Sequence, residues 1–82
     1  MENQREKEIQ RIEEMLFNKY GVFKLSKKQA AFVIGVSTSS LDRDRKAGIG
    51  IKYQQRTETS NVYYRIGSIA EYLVDNDIQT FQ

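Results

Sequence analysis

The sequence contains no cysteine, no histidine and no proline. Without cysteine there is no disulfide to staple a small core and no thiolate nucleophile. Without cysteine and histidine together the common zinc sites are excluded, and the usual general base is gone. What catalytic chemistry is left would rest on carboxylates, for hydrolysis or to hold a magnesium ion. The 11 acidic residues form no cluster assembled for it. Asp42 and Asp44 would diverge by about 200° on a helix, and Glu13 and Glu14 fit a charged, solvated helical face. The expectation is a protein that is not an enzyme and uses no cofactor or metal.

Long apolar runs are missing too. No stretch approaches the roughly 20 apolar residues that span a bilayer, and Met1-Glu2-Asn3-Gln4-Arg5 leads into mixed charges, unlike the apolar centre of a signal peptide. There are no repeats, no linker and no low-complexity segment. The 82 residues predict one small domain with a thin core, soluble and cytoplasmic, with no membrane partner. Its 39% hydrophobic and 29% charged residues suffice for folding.

The net charge is small, at +2, but the charges are unevenly placed. Residues 1–20 carry four basic and five acidic side chains, residues 21–65 carry nine basic and three acidic, and residues 66–82 carry three acidic and no basic. A basic middle between neutral or acidic flanks is the footprint of a polyanion-binding surface. A merely solubilising lysine-rich face would carry the same charge.

Along the chain, residues 2–20 predict an amphipathic helix with Ile9, Ile12, Met15 and Leu16 on its apolar side and a stop at Tyr20-Gly21. Ser26-Lys27-Lys28-Gln29 has the capping-box pattern, and Leu25 and Ala30 have the spacing of a hydrophobic staple. The helix they start runs to Ile34 and stops at Gly35. Ser37 to Ser40 lead into a third helix over 38–46 whose one strongly apolar residue is Leu41, closed by Gly48 or Gly50. Alternation then replaces helical spacing. Ile49, Ile51 and Tyr53, followed by Val62, Tyr64 and Ile66, predict an antiparallel hairpin with a polar tip at 55–61. Ser68-Ile69-Ala70-Glu71 repeats the capping-box pattern and predicts a short last helix, with residues 76–82 as a frayed tail.

Two short helices joined by a glycine-containing turn, Gly35-Val36-Ser37, form the helix-turn-helix signature, whose second helix enters the major groove of duplex DNA. Val36 would tuck between the helices. With Leu41 inward, Ser39, Arg43 and Lys46 face outward, Asp42 and Arg45 lie on the flanks, and Thr38 sits near the helix start. Short hydroxyls and arginine read base edges and hold phosphates. Asp42 could accept a hydrogen bond from cytosine N4, orient a neighbouring arginine, or only solubilise the helix. The hairpin supplies a wing, with Arg56 near its tip and Lys52 and Arg65 on its outward face. Lys27 and Lys28 sit at a helix N-terminus, where backbone N–H groups and the dipole favour phosphate. Any one of these cations alone would pass for a solvated surface charge. The order of elements carries the reading.

Leu25-Ser26-Lys27-Lys28-Gln29-Ala30-Ala31, Gly35-Val36-Ser37 and Leu41-Asp42-Arg43-Asp44-Arg45-Lys46-Ala47-Gly48 together resemble the excisionase and AlpA-type helix-turn-helix family, a compact MerR-like branch of the winged helices. Tyr64-Arg65-Ile66 and Ser68 to Leu73 resemble its closing strand and helix, so the likeness covers residues 24–74. It implies an α+β winged helix-turn-helix, and a sequence-specific DNA-binding protein of a phage or other mobile element, either a transcriptional regulator or an excision factor. Thr38, Ser39, Asp42, Arg43 and Lys46 match the family's DNA-facing positions. Such a protein could act on DNA as a homodimer or cooperative oligomer. Residues 1–20 have no counterpart in the minimal module. They motivate a second reading, an adaptor that docks a partner protein through residues 2–18.

Overall fold

The computed structural model describes residues 4–55 and 61–76. They form a small α+β domain of four helices and a three-stranded antiparallel sheet. Helix α1, Gln4–Tyr20, turns Leu16 and Ile12 toward the core. Strand β1, Lys24–Ser26, runs directly into α2, Lys27–Ile34. The predicted capping box is present: the Ser26 hydroxyl accepts from the Gln29 backbone N–H and the Gln29 side chain accepts from the Ser26 N–H. The staple residues Leu25 and Ala30 are both fully buried.

Gly35 ends α2 with φ +89°, a left-handed conformation natural to glycine, and Ala31 accepts from the N–H groups of both Gly35 and Val36. A three-residue turn leads to α3, Thr38–Lys46, capped by the Ser37 hydroxyl accepting from the Ser40 N–H. Leu41 is the one buried residue of α3. Strands β2, Gln54–Gln55, and β3, Val62–Arg65, form an antiparallel hairpin, and β1 adds to the other edge of β3, giving the order β1-β3-β2. Helix α4, Ile66–Asp75, packs along α1. Leu25, Tyr64, Ile66 and Ile69 form the centre of the core. Fully burying side chains of this size contributes about 1.5–3 kcal/mol each.

Several expectations need correction. The alternation Ile49, Ile51, Tyr53 is not a strand, because Gly48 and Gly50 take φ +75° and +90°, which breaks the extended path; only Ile51 of the three is buried. Helix α4 starts at Ile66 and not at Ser68, and Arg65 at its N-cap makes no side-chain cap. The strand passes straight into the helix because buried Ile66 donates its N–H to the Phe23 carbonyl at 2.9 Å. Met15 and Val36, expected inward, are 58% and 41% exposed. Met15 lies beyond the edge of the stripe that Ile12 and Leu16 define, and the Gly35 bend turns Val36 out of the angle between α2 and α3. Strand β1 was not foreseen at all. The expected hairpin tip and tail, residues 56–60 and 77–82, lie outside the described residues. No helix among the described residues is long and apolar enough to cross a membrane.

Candidate nucleic-acid interface

Helix α3 divides its polar residues by direction. Leu41 is held in the core, and a helix advances 100° per residue, so residues two and five positions on point away from it. Ser39, Arg43 and Lys46 are accordingly exposed, with Thr38 half-buried at the helix start. Arg43 reaches only the Ser40 hydroxyl, at 3.4 Å. Neither Arg43 nor Lys46 has an ion-pair partner among the described residues.

The flanks of α3 behave differently. Both Asp42 carboxylate oxygens accept from the Lys27 ammonium, at 3.0 and 3.1 Å, and one also accepts from the Arg45 guanidinium at 3.1 Å. Lys27 comes from the first turn of α2, so this cluster clamps the start of one helix to the next. Hydrogen bonds from Lys27, and then from Arg45, hold the Asp42 carboxyl below the usual carboxylate range. The cytosine-reading role considered for Asp42 would compete with the three hydrogen bonds its carboxylate already accepts. The arginine that Asp42 accepts from is Arg45.

That arginine, Arg45, was not among the expected site residues. Its guanidinium lies over the Tyr53 ring at 5.6 Å, and its Nε is buried with no hydrogen-bond partner among the described residues. It also stands beside Tyr64, whose hydroxyl burial pushes to a higher pKa while Arg45 pulls the other way. Arg45 therefore ties α3 to the segment that leads into the hairpin. Helical arithmetic could have found it, since four residues after Leu41 is nearly the same face.

The remaining candidates separate into two places. Lys28 is exposed on the first turn of α2. Lys52 and Arg65 are exposed and border a groove of about 630 Å³ between the hairpin, α1 and α4. Lys24, also missed, joins them there, its ammonium 5.3 Å from the Tyr63 ring centroid. The outward residues of α3 do not border that groove. Arg56 lies outside the described residues.

Compared with known proteins, the chain matches no family model, no curated protein and no solved structure. The site must therefore be argued from its own chemistry. Among the described residues no group of three or more carboxylates could hold a metal ion. What the arrangement offers is a short, rigidly held helix with hydroxyls and two uncommitted cations outward. Such a surface offers hydrogen-bonding groups and positive charge.

Proposed function

We propose that the chain binds double-stranded DNA as a winged helix-turn-helix protein, without catalysis. Helix α3 lies in the major groove, α2 crosses the backbone above it, and the β2–β3 hairpin is the wing. The supporting observation is the division of α3: Leu41 alone is buried, while Ser39, Arg43 and Lys46 are exposed and neither cation has an ion-pair partner among the described residues. That outward face, opposite Leu41, is open to water or to a polar partner, and its residue types suit base edges and phosphates.

In this reading Arg43 reads a base, with Thr38, Ser39 and Lys46 beside it. Lys28 holds a phosphate at the α2 N-terminus, and Lys27 and Asp42 fix the angle between the two helices. Lys52, Arg56 and Arg65 supply wing contacts. The resemblance to excisionase and AlpA-type proteins supports a role as a mobile-element transcriptional regulator or excision factor, working in the cytoplasm on the nucleoid.

Fluorescence anisotropy with random duplex DNA over a range of salt tests this. Each phosphate contact contributes a slope of about −0.9 in log affinity against log salt, so steep salt dependence is expected, followed by selection of a preferred site. Flat anisotropy at low salt and high micromolar protein would refute it. The adaptor reading, docking through α1, is favoured by one observation, the exposed aromatic pair Phe17 and Phe23.

A further inference from the structure

Phe17 on α1 and Phe23 just before β1 stack on each other, with centroids 4.6 Å apart and planes at 26°. They are 37% and 69% exposed. Stacking brings the two rings together as one exposed apolar ridge. Phe23 divides two grooves. On one side lies a groove of about 350 Å³ bordered by Gln10, Glu13, Glu14 and Asn18. On the other lies the groove of about 630 Å³ with Lys24, Lys52 and Arg65. Glu13 borders both. Glu71, in the second groove, is paired with Arg5 at 3.1 Å. Glu14, Lys52 and Arg65 have no ion-pair partner among the described residues, and Lys24 meets only the Tyr63 ring. With Glu13 counted on both sides, the ridge has net negative charge on one flank, from Glu13 and Glu14, and net positive charge on the other, where Lys24, Lys52 and Arg65 outnumber Glu13.

We infer that this ridge is a twofold interface with a second copy of the chain. A twofold axis lying along the ridge exchanges its flanks, so that the acidic side of each copy faces the basic side of the other, as a self-complementary isologous contact requires. A partner of one sign would gain on one flank and lose on the other. A second copy gains on both, while Phe17 and Phe23 of each copy supply the apolar centre. The inference does not rest on the DNA reading, and where the second copy engages Lys52 and Arg65 it takes the place of the wing contacts assigned to them there.

Sedimentation equilibrium of the full chain without DNA, from low to high micromolar protein, tests it. The mass should rise from one chain to two. Phe23→Asp should stay at one chain throughout, with an unchanged far-ultraviolet spectrum because the ring is mostly exposed. Glu14→Lys and Lys24→Glu each place like charges across the axis and should weaken dimerisation at least about tenfold. An equimolar mixture of the two should restore it, since both cross-axis pairs then attract. A wild-type chain that stays single at every concentration overturns the inference, as does a Phe23→Asp variant that dimerises normally or a mixture no better than its components.

Discussion

Replacing Arg43 and Arg45 by alanine, one at a time, separates what α3 presents from what holds it in place. Arg45 has 18% of its side chain exposed, lies over Tyr53 and shares Asp42 with Lys27. A cation over an aromatic ring contributes about 0.5–2 kcal/mol according to how far it is desolvated, and each buried methylene of the stem adds about 0.8 kcal/mol. Only part of the stem is covered, so the loss should be about 2 kcal/mol. In a domain this small, that lowers the melting temperature by about 8–16 °C. Arg43 is exposed and touches only Ser40, so its removal should change stability by less than about 0.5 kcal/mol. On a selected DNA site the order reverses: Arg43→Ala should cost about 1–3 kcal/mol, or about 5- to 150-fold in affinity. Thermal melts by circular dichroism, paired with anisotropy well below the transition, measure both. Equal destabilisation by the two variants would refute the division of α3. So would an Arg45→Ala variant that melts like the wild type and binds worse.

Lys28→Ala should weaken binding to all sequences alike and flatten the salt slope by about one unit; a change confined to one sequence would contradict a phosphate role. Gly35→Ala and Gly50→Ala both force a side chain into the left-handed region, at about 1–2 kcal/mol. Gly50→Ala should lose more in urea midpoint, because its new Cβ would sit 3.0 Å from the Asp44 Cβ, whereas nothing lies within 4 Å at Gly35. Lys27 and Arg45 hold Asp42, and Arg5 holds Asp75, below the usual carboxylate range. The stability they add is present above the unfolded value of about 3.9 and is lost as pH falls through the lowered folded values. The melting temperature should be level from about pH 8 to pH 5 and fall below about pH 4, less steeply in Asp42→Asn. A stability transition near neutral pH would contradict this, since the chain has no histidine.

Local chemistry made α2 legible. Ser26 and Gln29 cap each other three residues apart, and Gly35 stops the helix, so a short window contains the whole signal. The same holds for α3, where the single apolar residue Leu41 sets the direction of every neighbour. What needed distant partners was not legible. Strand β1 is three residues long with one buried, and it is a strand only because β3, some forty residues later, lies beside it. Lys27 and Asp42 meet 15 positions apart across a turn, so both read as outward charges until the angle between the helices is known. The false strand at 49–53 arose because alternation is blind to backbone sign; left-handed Gly48 precedes it and left-handed Gly50 interrupts it. Ser68 looked like a cap, yet β3 flows into α4 with Ile66 already buried and bonded to Phe23.

The pairing of α1 with α4 joins residues far apart in the chain: Arg5 donates to Asp75 at 2.6 Å, 70 positions away. This has a consequence for synthesis. The apolar stripe of α1 leaves the ribosome first and has no mate until α4 follows. With about 50 residues between the two stripes and translation at about 5–20 residues per second, the nascent chain spends about 3–10 seconds with that stripe uncovered. The capped α2 and the α2–α3 pair can form in that interval from local contacts, but the sheet and the α1–α4 layer close together, at the end.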